Sequence, residues 1–157
     1  MEADRMAQRS GGMAGWAQQY LDAWNGRDVE AVLAFMSEDV VFTDVPLGEG
    51  VEGLAAVRDF VTRIMTAYSS DFRRELGGMV VADDAAYAFE FSESGTNDLA
   101  AAGSRFPATG RPFRLSVVSI GRFRDGKIVE HKDYWDLAGY LRQVGLMPLP
   151  GSATASH

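Results

Sequence analysis

The 157-residue chain contains no cysteine, which excludes disulfides, thiolate metal sites and cysteine nucleophiles together. Histidine is almost as scarce. There are two, one of them the last residue, and neither His-Glu-x-x-His nor EF-hand spacing occurs, so no metal site and no cofactor is expected. Positive charge is in deficit, with 15 Lys+Arg against 22 Asp+Glu and a net charge of −7. Such a surface repels phosphate backbones and anionic lipid, so no nucleic-acid or membrane partner is expected. No run of about eighteen apolar residues occurs, and Met1 to Gly15 carries Glu2, Asp4, Arg5 and Arg9 where a signal peptide would be apolar. The expected location is cytoplasmic.

What the chain does have is enough apolar residue for one core, 46% of the total. Residues 1–12 and 148–157 lack periodicity and read as loose tails around a single domain over 13–147. From Met13 the set Trp16, Ala17, Tyr20, Leu21, Ala23, Trp24 recurs at helical spacing up to Asn25-Gly26. A second helix, capped by Asp28, buries Val29, Val32, Leu33 and Met36, and Ser37 to Asp39 interrupts it. Val40 to Asp44 reads as a strand, Gly48 to Gly53 as a loop, and Val57, Phe60, Val61, Ile64 and Tyr68 as the face of a third helix. The period then changes to two. Phe72–Ala82, Ala85–Ser94, Phe113–Arg124 and Lys127–Trp135 read as strands, with hairpin turns at Asp83-Asp84 and Asp125-Gly126. The long connection 95–112 is of the kind that covers or rims a site. A last helix follows Asp136 and stops at Gly145. Helices first and a strand meander afterwards make an α+β domain with a curved sheet folded over the helices.

Few residues in this layout carry chemistry. Along Lys127–Trp135, alternation puts Val129, His131, Asp133 and Trp135 on one face and Ile128, Glu130, Lys132 and Tyr134 on the other. A histidine and a carboxylate facing an apolar interior either serve a function or bond to neighbouring strands. Asp44, at a strand end before Val-Pro, either looks along a cavity wall or caps its own turn. Tyr20 lies on the buried stripe of the first helix, where a phenol needs a partner. Gly48-x-Gly50-x-x-Gly53 spells the dinucleotide fingerprint, but no βαβ unit surrounds it and it reads as a loop. Arg73-Arg74 reads as an outer strand face, and Glu38-Asp39 and Asp83-Asp84 as solvated turns.

The segment Asp125-Gly-Lys-Ile-Val-Glu-His131-Lys-Asp133-Tyr-Trp135-Asp, followed by Leu141 to Gly145, resembles the C-terminal signature of SnoaL-like polyketide cyclases. The resemblance implies the nuclear transport factor 2-like cone, with helices closing a strongly curved, mostly antiparallel sheet around a deep pocket. It also implies that Asp133 is the catalytic acid/base, with His131 its cavity-facing neighbour. Tyr20-Leu-Asp-Ala-Trp24-Asn-Gly and Asp39-Val-Val-Phe42-Thr-Asp44 resemble the ketosteroid isomerases, whose oxyanion tyrosine and proton-shuttling aspartate would be Tyr20 and Asp44. That family's protonated aspartate would fall near Ser119, a weaker donor. Together these imply an acid–base enzyme for an apolar carbonyl compound, needing no cofactor, with Trp135, Phe42, Phe89, Ser119 and Trp24 as substrate contacts. Desolvation beside Trp135, Phe42 or Phe89 is expected to raise the Asp133 pKa. Epoxide opening by paired aspartates and a non-catalytic small-molecule-binding or dimerisation module are the alternatives, and a homodimer is expected.

Overall fold

The computed structural model describes residues 2–100 and 104–148, with side chains from Gly12 onward. Four helices and six strands follow in the order α1 (Glu2–Asn25), α2 (Val29–Leu33), β1 (Met36–Asp44), β2 (Glu49–Glu52), α3 (Leu54–Ala67), β3 (Arg73–Ala82), β4 (Ala86–Thr96), β5 (Pro112–Arg124), β6 (Lys127–Trp135) and α4 (Leu137–Gln143). The strands form one curled, unclosed sheet in the order β2-β1-β6-β5-β4-β3. Neighbours run antiparallel except β1 and β6, which are parallel. The expected α+β class and the nuclear transport factor 2-like cone are what the chain adopts. Among the described residues no helix is long and apolar enough to cross a membrane.

Alternation along β5 shows how the sheet makes a core. Phe113, Leu115, Val117 and Ser119 are buried while their neighbours face out, which is the period-two pattern of a sheet covered on one face. The buried stripe of α1, Ala17, Tyr20, Leu21 and Trp24, packs into that concave face. The end of α1 is tied down by Asn25, whose amide donates to the Arg74 carbonyl and accepts from the Arg74 N–H at 2.8 and 2.7 Å. One side chain thus imitates a strand neighbour for β3.

Several boundaries differ from the sequence reading, each for a local reason. α1 begins at Glu2, not Met13, so residues 2–12 are helical backbone rather than a loose tail; apart from Gly11 and Gly12 they include good helix formers and no proline. The tail 148–157 lies outside the described residues except Pro148. Met36, expected in the second helix, opens β1 opposite Ile128, because α2 ends after five residues. Segment 48–53 is not wholly loop: β2 pairs with β1 from Val41↔Glu52 to Asp44↔Glu49, so the glycine triplet belongs to a hairpin. On β6 a bulge at Val129 shifts the register, and Ile128 takes the buried place assigned to Val129. The Asp125-Gly126 turn has both residues in the left-handed region, with φ of 52° and 74°, which matches a two-residue hairpin twist.

Candidate active site

The site is built on rungs that run across the sheet. Register places Asp44 beside Asp133, Asp133 beside Ser119 and Ser119 beside Phe89. The next rung carries Phe42, His131, Gly121 and Tyr87 in the same way. Residues two apart on one strand share a face, so the two rungs stack on the concave side. Asp44 and Asp133 sit on adjacent strands of one rung and both line a cavity of about 80 Å³, whose walls include Phe60, Phe72, Phe91, Phe113 and Trp135. Of the three groups expected around one mainly apolar cavity, the two aspartates line it and Tyr20 does not.

Asp133 has one committed oxygen and one free one. Its Oδ1 accepts from the Ser119 hydroxyl at 2.5 Å and from His131 Nε2 at 2.9 Å, and no donor among the described residues reaches Oδ2. Burial, the largest influence, pushes the carboxyl up, but the His131 ring, Arg74 and Ser119 outweigh it and hold it below the ordinary value. This corrects the expectation that desolvation raises Asp133. The strand neighbours supply more stabilisation of the charge than the aromatic walls remove.

Asp44 goes the other way. Burial raises it from 3.8 to about 6, with Asp133 and Glu49 adding to the rise, against hydrogen bonds from the Leu47 N–H and Trp135 Nε1. Both sequence readings of Asp44 hold at once, since it caps its turn at Leu47 and also faces the cavity. A carboxyl whose pKa rises on folding stabilises the fold most below its unfolded value and loses that contribution as pH rises from about 4 through about 6. Asp44→Asn, which cannot ionise, should therefore stabilise the protein at pH 8 and change little at pH 4. The full shift corresponds to about 3 kcal/mol, which screening at a cavity mouth reduces to about 1–2 kcal/mol. Urea denaturation at the two pH values measures it, and equal effects at both would contradict this account.

His131 is fully buried and sits behind the wall rather than on it. The Tyr87 hydroxyl meets its Nδ1 and Asp133 meets its Nε2. Burial, helped by the charge of Asp133, drives the Tyr87 pKa far up, so its phenol stays protonated. A carboxylate can only accept, so the Nε2 facing Asp133 carries a hydrogen, whichever way the Tyr87 bond to Nδ1 runs. Tyr87 reaches across the rung because residue 121 is glycine: a Cβ there would fall inside the Tyr87 ring. Tyr87→Phe leaves the buried Nδ1 without its partner and should cost about 1–3 kcal/mol. A cost near zero in equilibrium unfolding would show that the contact carries no weight.

The remaining expected contacts are divided by the structure. Trp135 lines the cavity and donates to Asp44. Phe42, Phe89, Trp24 and Ser119 lie behind it: Phe42 packs on His131 with centroids 4.7 Å apart, Phe89 packs on Tyr20 and Tyr87, and Ser119 is spent on Asp133. Tyr20 is also behind the floor, 1% exposed, with its hydroxyl unpartnered among the described residues. Burial raises its pKa, so it stays neutral, but it does not touch the cavity.

Sequence reading missed Arg74, Glu93 and Tyr87. Arg74 is 6% exposed, lines the cavity, donates Nε to Glu93 and lies 4.0 Å above the Trp24 ring. The outer-face reading of Arg73-Arg74 is thus right for Arg73, whose side chain is 68% exposed, and wrong for Arg74. Consecutive strand residues face opposite sides, and that alternation was the available signal. At the rim, Glu49 meets Arg63 and Arg105, Arg105 donates to the Leu47 carbonyl, and Phe106 lines the cavity. The connection after β4 therefore does border the site. Among the described residues no three His, Cys, Asp or Glu are grouped to hold a metal ion.

The curled, unclosed sheet with helices packed on it has the ketosteroid isomerase-like fold. Within it, the family model of the SnoaL-like domain matches residues 17–131, and the chain belongs to that family. A candidate polyketide cyclase from Xanthomonas campestris pv. campestris is 29% identical, with a TM-score of 0.68 over 87% of this chain and 97% of its own. A candidate polyketide cyclase from Silicibacter sp. is 26% identical, with a TM-score of 0.70 over 84% and 94%. An epoxide hydrolase from Mycobacterium tuberculosis shares the fold at 18% identity and a TM-score of 0.61, over 82% of this chain and 85% of its own. A search of curated proteins returned no match.

Proposed function

We propose that the protein is an acid–base enzyme that moves protons on an apolar carbonyl compound held in the cavity, with Asp133 as base and Asp44 as acid. The observation that carries this reading is the shared rung, on which two carboxyls face one cavity while their surroundings push their pKa values in opposite directions. Groups driven apart in this way divide the acid and base roles between them. Asp133 Oδ2 is open to accept a proton, and Asp44 still carries one in part of the population near neutral pH. Both proton transfers use carboxyls of this chain, and neither requires a cofactor. The family and its candidate polyketide cyclases support isomerisation or ring closure as the reaction class.

Exchange with solvent tests this while the substrate is still unidentified. Incubated in D2O with a mixed panel of small ketones, esters and 1,3-dicarbonyl compounds, the protein should place deuterium beside the carbonyl of its substrate faster than buffer alone does, and Asp133→Asn should not. The rate should rise as Asp133 ionises, fall about tenfold per pH unit above the Asp44 value of about 6, and lose that alkaline limb in Asp44→Asn. Absence of exchange across the panel, with ligand recovered unchanged, would favour a binding module.

The same pair favours a second reading, because a protonated carboxyl beside an ionised one also suits epoxide opening, the acid protonating the ring oxygen while the base activates water. Heavy-oxygen water separates the two, since epoxide hydrolysis places its oxygen in a new, non-exchanging hydroxyl, whereas isomerisation or ring closure forms no such bond.

A further inference from the structure

Arg74 has one committed nitrogen and a free edge. Its backbone is held on both sides by the Asn25 amide, its guanidinium rests on Trp24, and its Nε is taken by Glu93. Among the described residues the only side-chain hydrogen bond of Arg74 is the one from Nε, which leaves Nη1 and Nη2 free on a residue that lines the cavity. A guanidinium fixed in this way presents two parallel N–H groups, whose complement is two oxygens side by side. Asp133 lines the same cavity, and the guanidinium charge helps to hold its carboxyl below the ordinary value.

The chemistry of Asp133 narrows what those oxygens belong to. A carboxylate stabilised by His131, Ser119 and Arg74 is a weak base, and the two groups expected to support a developing oxyanion, Tyr20 and Ser119, do not reach the cavity. The C–H beside a single carbonyl is too weak an acid for such a base, whereas a C–H between two carbonyls is about ten pK units more acidic, which closes most of the gap in proton-transfer driving force. A carboxylate ligand would bring a further negative charge beside Asp133 and Glu93. A neutral dicarbonyl would not.

We propose that Arg74 anchors the substrate and that its free edge binds both oxygens of a planar 1,3-dicarbonyl group, with the carbon between them facing Asp133; this rests on the reading of Asp133 as base. In the step, the C–H bond breaks, its proton joins Asp133 Oδ2, and the bonding pair spreads over the two oxygens held by Nη1 and Nη2. Charge is conserved, since the carboxylate is neutralised as the enolate forms against the guanidinium, where a fixed donor strengthens with the developing charge.

Calorimetry on the full chain at pH 7 with pentane-2,4-dione, pentan-2-one and butanoate tests the anchor. Wild type should bind the diketone at least about tenfold more tightly than the monoketone, because only the diketone satisfies both donors. That ratio should collapse toward one in Arg74→Lys, which keeps a cation against Glu93 but loses the fork. Where the lysine variant fails to fold, Arg74→Met combined with Glu93→Gln removes both buried charges together and should show the same collapse. Asp133→Asn should keep the ratio while losing deuterium exchange, so failure of the base and failure of the anchor are separate results. The proposal is overturned if wild type does not discriminate, if the ratio survives loss of Arg74, or if butanoate binds more tightly than the diketone.

Discussion

Asparagine in place of Asp133 is expected to lower turnover by roughly 10²–10⁴-fold, the usual contribution of a positioned acid or base, without unfolding the protein. The amide oxygen can still accept from Ser119 and His131 Nε2, which both address Oδ1. What disappears is Oδ2, the oxygen left open to the cavity, and an amide nitrogen in its place cannot take a proton. The fold should also change its response to acid. A carboxyl held below its ordinary value on folding adds stability that is present above the unfolded value and lost as pH falls through the folded one. Asp133→Asn should therefore lose this contribution at pH 7 and show a shallower decline toward acid than wild type. Kinetics with the substrate found by deuterium exchange, and urea denaturation between pH 7 and 3, measure the two effects. A folded variant turning over at the wild-type rate would remove Asp133 from the mechanism.

Gly121→Ala is the substitution expected to damage the fold most for its size. Only one methyl group is added, yet its position falls within the Tyr87 ring. The neighbours cannot yield easily, because β5 is an interior strand paired on both sides from Val117 to Arg122. Tyr87 must then leave its place between Phe89, Phe123 and Trp16, giving up both packing and its bond to His131. Overpacking and a lost buried hydrogen bond together should cost about 3 kcal/mol or more. In a Tyr87→Ala background the same substitution should be nearly neutral, since the ring it strikes is gone, and a double-mutant cycle reads that coupling directly. Additive effects would show that Gly121 is glycine for some other reason.

The residues behind these expectations differ in how legible they were in the sequence. Asp133 and His131 were legible because a strand alternates strictly, and the polar pair broke an otherwise apolar inward face. Asp44 was legible as a strand end beside an apolar run. Arg74 was legible in principle by the same alternation, but a double arginine reads as surface because a buried guanidinium is rarely tolerated without a partner, and its partner Glu93 lies on a different strand. Tyr87 and Gly121 carried no local signal. Their roles depend on which residues of β4, β5 and β6 share a rung, and that register was not readable from either strand alone.

The sequence by itself determined the order of the helices and of the long strands, and the hairpin turns that join β3 to β4 and β5 to β6, because helix and strand periods and turn residues are local properties of the chain. It also carried the resemblance that makes Asp133 and Asp44 the acid–base candidates. Only the tertiary structure decided which aspartate is driven up and which is held down. That outcome depends on the balance between burial and the charges and donors packed around each carboxyl, His131 first and then Arg74 and Ser119 for Asp133, and the Leu47 N–H and Trp135 for Asp44. The same packing put Tyr20 behind the floor and Arg74 on the cavity wall, reversing the roles that their neighbours in sequence suggested.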